Sequence, residues 1–336
     1  ELAALITLPN NKRFAEVAVN RLWKRYLGVG LVDSVDDWEM AGRRNPELLE
    51  WLSNEFIASG FDLKHIARLI LNSRVYQSTP RVPDALQNDD FVGPVQRQLA
   101  AEQLLDSLFV VSGKDYEAGQ MTFDIDGARP RDLSLHLGVP RRAWMLTATS
   151  NERDRPGLAM PFAAPFVTFL EQFGWRGSRQ NPVTQRPDDL TALQPAEFAN
   201  GVLARRTTRL SDDHLVTELA LDESITLEKL VEELYLHVLT RRPTDREKQL
   251  VTELLSAGFE RRRIPEAAVS ERTRDRRGMV SWSNHLEEEA SRIKLELEQQ
   301  VRAGDIPTQR LVSDWRARLE DVLWSLTSSP EFRFSP

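Results

Sequence analysis

The chain contains no cysteine, and its histidines are few and widely separated. Without a thiol, the 336 residues exclude a disulfide framework, a thiolate zinc site, an iron–sulfur cluster, a cysteine nucleophile and covalently attached c-type haem. The 5 histidines show no HExxH pattern or other close spacing, so a histidine-rich metal site is not expected. The sequence therefore predicts no metal site and no cofactor in this chain, with one acidic turn (below) as a candidate for calcium.

Long apolar runs and a positive charge balance are also lacking. No apolar run reaches the roughly 20 residues that cross a bilayer, so no membrane span is expected. The formal net charge is -7, whereas contact with phosphates needs a clustered positive face, so nucleic acid is not an expected partner. Because the numbering begins at Glu1 rather than methionine, we expect the sequence to start inside a longer precursor.

Apolar residues recur at helical spacing through most of the sequence, which predicts a mainly α, multi-helix, bundle-like fold. The first predicted helix covers residues 12–27, with Asn20 on its polar side and Gly28 at its end. A second helix begins at Asn45 and Pro46, which suit the cap and first helical positions, and a third begins at Asp62.

Three regions follow from this pattern. Residues 1–80 form a predicted N-terminal helical subdomain, and residues 81–210 a helical and irregular middle region with a few short strands. Within the middle, the segment RAWMLTAT at 142–149 is a candidate strand, and 195–206 a single helix. Residues 211–336 form a predicted C-terminal helical subdomain, with a capping box at Thr244 and Glu247.

An acidic turn after the first helix is the first candidate site. Asp36 and Asp37 are adjacent carboxylates that suit a hard cation such as calcium, and the neighbouring Trp38 can stack on a sugar ring. The alternative is structural, because aspartates in turns commonly cap helices or pair with arginines such as Arg21 and Arg25.

Two further groups of polar residues are candidates. His65 and Arg68 share one face of the third helix. His65 is a candidate general base and Arg68 a candidate anion-binding cation, and the alternative is that both residues are structural. The loop TSNERDR at 149–155 offers groups for a polyhydroxylated or anionic ligand, particularly if it meets Trp175, although internal salt bridges are the alternative. Its candidate residues are Asn151, Glu152, Arg153, Asp154 and Arg155.

Several separated stretches together resemble a known family. They are NRLWKRYLGVGLVDSVDDW, NPELLEWLSNEF, FDLKHIARLILNSRVYQ, LTRRPTDREKQ and VLWSLTSSPEF, which occur in this order. The sequence resembles the planctomycete domain of unknown function 1553 family in these stretches, and the match spreads over about residues 10–335. Relative to the usual pattern of that family, residues of about 261–310 look like a helical insertion. The resemblance implies an exported, extracytoplasmic protein, linked to polysaccharide breakdown and working beside other domains of the same precursor, where any haem would reside.

From these observations we expect a binding or interaction module of a larger exported protein, with polysaccharide as a ligand. Two alternatives stay open. One is a glycan-active enzyme that uses carboxylates such as Asp36, Asp37, Glu152 or Asp154 as acid and base. The other is a structural domain that positions a cytochrome c module, which predicts a large apolar interface patch.

Overall fold

The structure is a computed structural model of the chain. It describes residues 5–6, 8, 11–32, 38–39, 42–81, 93–118, 139–149, 162–175, 191–265 and 286–335. The chain divides into two compact units: unit 1 contains Glu1–Gln98 and Phe334–Pro336, and unit 2 contains Leu99–Arg333. The three-region division at residues 80 and 210 stays a prediction.

The described residues of unit 1 include three helices that pack together and a small sheet. The helices are α1 (Lys12–Leu27), α2 (Pro46–Ala58) and α3 (Leu63–Leu71), and strand β1 (Arg97–Gln98) pairs antiparallel with β2 (Phe334–Ser335). The predicted caps are present: the Asn45 side chain accepts a hydrogen bond from the Leu48 N–H, and the Asp62 carboxylate accepts from the Lys64 N–H. Gly28 ends α1 with φ 84°, a left-handed conformation that glycine adopts readily.

The apolar faces of these three helices meet in one core. Trp23 of α1 is 5% exposed, and the buried residues around it are Ala15, Val19, Leu27, Leu31, Val32, Leu49, Leu52, Phe56, Ile66 and Ile70. Because α2 and α3 contribute successive turns of their apolar stripes to this core, the three helices stabilise one another by burial of nonpolar surface.

Unit 2 is also helical. Its helices are α4 (Ala101–Ser112), α5 (Ala143–Thr149), α6 (Ala164–Gln172), α7 (Leu193–Asn200), α8 (Val202–Thr208), α9 (Leu215–Leu221), α10 (Leu227–Leu239), α11 (Asp245–Ser256), α12 (Glu288–Ala303), α13 (Ser313–Thr327) and α14 (Pro330–Arg333), with a 3-10 turn at Phe259–Arg261. The predicted mainly α fold is therefore confirmed.

Aromatic rings fill much of the unit 2 core. Tyr116 lies with its ring centroid 4.5 Å from that of Phe109 and 5.0 Å from that of Phe166. A second group of rings, Phe169, Phe173, Phe198 and Phe332, continues the same core. Large buried rings of this kind contribute much of the nonpolar burial of a domain.

Two sequence-based assignments in unit 2 were wrong. The segment RAWMLTAT is helix α5, not a strand, because the Asp106 carboxylate accepts a hydrogen bond from the Ala143 N–H at 2.9 Å and so satisfies the start of a helix. The single helix expected at 195–206 is two helices, α7 and α8, because Gly201 adopts an extended conformation (φ -62°, ψ 157°) between them.

The LTRRPTDREKQ stretch has a structural role in the fold. Thr244 and Glu247 form the predicted capping box at the start of α11. Arg241 contacts the Glu247 carboxylate at 2.8 Å and that of Glu331 at 2.6 Å, and the Arg241 hydrogen bonds lower the pKa of Glu247 to about 2. The stretch therefore connects the start of α11 to α14.

The C-terminal part of the predicted insertion is helix α12, which packs against other elements of unit 2. Ala290 and Ile293 of α12 are buried, and Arg209 donates a hydrogen bond to the Ala303 carbonyl at 2.7 Å. Residues 266–285 lie outside the described ranges.

Candidate functional site

The segment that contains Trp38 is closed at its base by backbone contacts. Val32 and Arg43 form an isolated antiparallel bridge, and the Arg44 N–H donates to the Leu31 carbonyl at 2.8 Å. The chain therefore leaves the end of α1 and returns to the same place before α2 begins.

Asn20 of α1 fixes this base. Its side chain is buried, the carboxamide oxygen accepts from the Val32 N–H at 3.0 Å, and the Nδ2 donates to the Val32 carbonyl at 3.2 Å. The helical pattern placed Asn20 on the polar side of α1, and that was wrong. A carboxamide carries a donor and an acceptor, so Asn20 is stable in the interior while it satisfies both backbone groups of Val32.

Replacing Asn20 with alanine is expected to lower the free energy of unfolding by about 2 kcal/mol, because the backbone N–H and C=O of Val32 would stay buried without partners. Urea denaturation measures this loss. Asn54, which is exposed on α2, is a matched control, and its change to alanine is expected to leave stability nearly unchanged. Equal stability of the two variants would contradict the role given to Asn20.

Trp38 lies at the edge of the unit 1 core with arginine side chains beside its ring. The guanidinium carbon of Arg13 is 4.9 Å from the ring centroid, and that of Arg43 is 6.0 Å away. Both arginines are exposed, whereas Trp38 is partly buried and packs against the core. Such cation–π contacts hold guanidinium groups in place while their N–H donors still face solvent.

Arginine side chains lie beside the ring of Trp38, so guanidinium donors accompany the ring at this candidate site. The stacking of Trp38 on a sugar ring stays a prediction. Within the described residues, no carboxylate pairs with Arg13 or Arg43. Asp36 and Asp37 lie outside the described ranges, so their calcium-binding and capping roles stay predictions.

His65 and Arg68 both lie on α3, as the sequence spacing predicts. The Nε2 of His65 is 3.3 Å from the Glu55 carboxylate of α2, and both side chains are partly exposed. Arg68 is exposed and its backbone carbonyl accepts from Asn72 at the end of α3. This geometry connects α3 to α2, and the proposed general-base role of His65 stays a prediction.

The other candidates lie in the unit 2 part of the chain. Trp175 is only 5% exposed and belongs to the core of unit 2, and its backbone N–H donates to the Leu170 carbonyl at 2.9 Å. The loop candidates lie outside the described ranges: Asn151, Glu152, Arg153, Asp154 and Arg155. A ligand site that combines the loop with Trp175 therefore stays a prediction.

A buried lysine that was not predicted as a site residue lies at the centre of a polar network in unit 2. The ammonium group of Lys114 donates to the carbonyls of Arg206 at 2.8 Å and Arg209 at 2.9 Å, and to the Asp305 carboxylate at 2.9 Å. Its side chain is fully buried, and burial lowers the pKa of Lys114. Because an ammonium has three donors and all three are used, Lys114 serves the structure.

His214 adjoins this network and is equally well satisfied. Its Nδ1 accepts from the Val216 N–H at 3.1 Å, which caps helix α9, so the proton must reside on Nε2, which lies 2.9 Å from the Thr207 carbonyl. Burial, reinforced by the charge of Lys114, lowers the pKa of His214 to about 4. The neutral ring is therefore a structural cap and not a proton carrier near neutral pH.

Arg262 is a further buried cation of unit 2. Its guanidinium donates to the carbonyls of Ala220 at 2.6 Å, Phe259 at 3.0 Å and Asp222 at 2.7 Å. These carbonyls include the C-terminal end of α9, where a positive charge is favourable. Like Lys114, Arg262 connects elements of the fold and has no geometry suited to a substrate.

At this candidate site, the groups that the described residues offer to a ligand are therefore exposed guanidinium groups. Within those ranges no three histidine, aspartate or glutamate side chains are grouped so that they would hold a metal ion. Arg13 lies 25 positions before Trp38 and Arg43 lies 5 positions after it, and no spacing in the sequence indicates that the three side chains meet. This contact defines the candidate site.

The fold is that of a mainly α protein, and the candidate site lies in its N-terminal unit. The family model described as PSD1, protein of unknown function (DUF1553), matches residues 1–255. The chain belongs to this family, as its sequence motifs indicated. No curated protein and no solved structure matches the chain. In the part of the chain that the structure describes, no helix is both long enough and apolar enough to cross a membrane.

Proposed function

We propose that this chain is a binding module of a larger exported protein, and that unit 1 binds polysaccharide that carries acidic groups. The observation that carries the proposal is the pair of exposed guanidinium groups, Arg13 and Arg43, held beside Trp38 without a carboxylate partner in the described residues. Export, polysaccharide association and other domains as partners are proposed from the family resemblance.

The chemistry of the surface supports an acidic ligand. A guanidinium presents a planar set of donors that matches a carboxylate or sulfate, and it also donates to sugar hydroxyls. The neighbouring Lys12 differs because its ammonium is already paired with the Glu50 carboxylate at 3.2 Å. Free donors and paired donors therefore stand next to each other at the start of α1, which supplies a matched control.

Binding is tested by titrating the protein with neutral and acidic polysaccharides at fixed ionic strength. We expect the double variant Arg13→Ala/Arg43→Ala to bind the acidic polysaccharides about tenfold more weakly, equivalent to ~1.4 kcal/mol. Lys12→Ala is expected to bind nearly as the unmodified protein does, because Lys12 is engaged by Glu50. Absence of binding by the intact folded protein, or an equal loss in the control, would reject the proposal.

The enzyme alternative has its own test. It requires two carboxyl groups about 5–10 Å apart across a cleft, and its candidates Asp36, Asp37, Glu152 and Asp154 lie outside the described ranges. Release of new reducing ends from a polysaccharide that the protein binds would favour the enzyme over the binding module.

A further inference from the structure

A second group of arginines gathers at the opposite end of α1 from Arg13. Backbone hydrogen bonds bring it together: the Arg81 N–H donates to the Pro94 carbonyl at 2.8 Å, and the Arg81 carbonyl accepts from the Gln96 N–H at 2.7 Å. The Val95 N–H in turn donates to the Leu27 carbonyl at 2.8 Å. Arg81 and the start of β1 are therefore fixed against the last turn of α1.

Three arginines belong to the segments that these backbone contacts join. Arg25 lies in the last turn of α1, Arg97 begins β1, and both are exposed. Burial, followed by the nearby charge of Arg25, lowers the pKa of Arg97. Like charges this close are unfavourable unless an anion lies between them. Within the described residues, no carboxylate pairs with Arg25, Arg81 or Arg97.

Arg81 gives a second, independent indication of an absent ligand. Its Nη2 is buried and has no hydrogen-bond partner. Buried polar groups in proteins are nearly always bonded, and an unsatisfied donor on a charged group is especially costly. An oxygen atom of a bound anion would satisfy it.

A structural explanation accounts for only part of this arrangement. Positive charges are favourable at the C-terminal end of a helix, which explains Arg25 and its neighbour Lys24 in the last turn of α1. It does not explain why Arg81 has an unbonded donor or why Arg97 approaches Arg25.

Aromatic side chains adjoin the arginines. Tyr26 and Tyr76 form an edge-to-face pair with ring centroids 6.2 Å apart, and the Tyr76 hydroxyl is near enough to Arg97 to affect its titration. Both tyrosines are partly exposed. Aromatic edges and hydroxyls beside cations suit a sugar that carries a charged group.

We propose that Arg25, Arg81 and Arg97 form a second anion subsite, which takes a carboxylate or sulfate group of an acidic polysaccharide. The choice of polysaccharide rests on the proposed function. Nucleic acid offers the same kind of oxyanion, but the net charge of -7 opposes a long phosphate backbone, while isolated acidic groups are recognised locally.

The test compares variants matched for charge. Arg25→Gln/Arg97→Gln removes two charges from the subsite, and the control Lys12→Gln/Lys64→Gln removes two from exposed positions elsewhere in the same unit. The probes are polygalacturonate, dextran sulfate, uncharged dextran and single-stranded DNA, titrated at one ionic strength because long-range charge effects are screened by salt. Circular dichroism confirms that each variant is folded, and Arg97→Gln alone replaces the double variant if that one does not fold.

We expect the subsite variant to lose about tenfold in affinity for at least one acidic polysaccharide, and the control variant Lys12→Gln/Lys64→Gln to lose about twofold or less. The probe that loses affinity distinguishes a carboxylate from a sulfate. If the subsite variant binds as the unmodified protein does while Arg13→Ala/Arg43→Ala does not, the inference fails and the proposed function stands. If the unmodified protein binds neither acidic probe, the proposed function fails. DNA binding of equal strength, lost in the same subsite variant, would overturn the choice of polysaccharide.

Discussion

Replacing Lys114 with alanine is expected to lower the free energy of unfolding by about 3–5 kcal/mol, the range typical of breaking a buried ion pair from one side. The fully buried Lys114 side chain would leave the Asp305 carboxylate, only 12% exposed, without its closest cation. It would also leave the carbonyls of Arg206 and Arg209 without the donors that now satisfy them.

Arg206 compensates for only part of this loss. Its Nε is 3.5 Å from the same Asp305 oxygen, so some attraction for the carboxylate remains in the variant. Arg206 also donates to Glu117 and to the Asp115 carbonyl, so it is not free to move into the space that Lys114 leaves. The expected loss therefore stays large.

The measurement is urea denaturation of the unmodified protein and of Lys114→Ala, with Lys229→Ala as control. Lys229 has ion pairs with Glu232 and Glu233 on the surface of α10, where its side chain is 52% exposed. Because exposed ion pairs contribute little, the control should unfold at nearly the same urea concentration as the unmodified protein. If the two lysine variants unfold together, burial of Lys114 does not have the importance assigned to it.

What the sequence predicts well is local. The caps at Asn45, Asp62 and Thr244 were predicted because the residue that caps each helix lies within three positions of the N–H it accepts. The apolar spacing of α1 to α3 likewise identifies the buried faces, because the periodicity belongs to each helix alone.

What the sequence does not predict depends on contacts between distant residues. Helix α5 begins where the Asp106 carboxylate, 37 positions earlier, accepts from Ala143, so its short apolar segment could not be distinguished from a strand. Asn20 is polar by type, and only its contact with Val32 explains its burial. The candidate site also depends on a tertiary contact, because the pairing of Val32 with Arg43 places Arg43 beside Trp38 and Arg13.

Lowering the pH from 7 to below 4 is expected to lower the free energy of unfolding of unit 2 by about 3 kcal/mol through His214 alone. The pKa of His214 is about 4 in the folded protein, whereas the ordinary value is 6.5. A shift of this size corresponds to about 3 kcal/mol at 1.36 kcal/mol for each pH unit.

The sign follows from proton uptake. Below pH 6.5 the unfolded chain binds a proton at His214 that the folded protein does not, so acid favours the unfolded state until the pH falls below about 4. The stabilisation from the neutral His214 is therefore fully present above pH 6.5, the ordinary pKa that His214 has in the unfolded chain. Burial raises the pKa of Glu320 and of Glu197, and these two carboxyls act in the opposite direction, since their protonation favours the folded state.

A variant separates His214 from the carboxyl groups. In His214→Asn the side-chain oxygen retains an acceptor for the Val216 N–H, as expected of asparagine at a helix N-cap, but it does not titrate between pH 4 and 7. Urea denaturation across this range should show a shallower loss of stability in His214→Asn than in the unmodified protein, even though the variant loses the bond to Thr207 and starts from a lower stability. Parallel curves would mean that His214 takes up a proton equally in both states, which its burial beside Lys114 argues against.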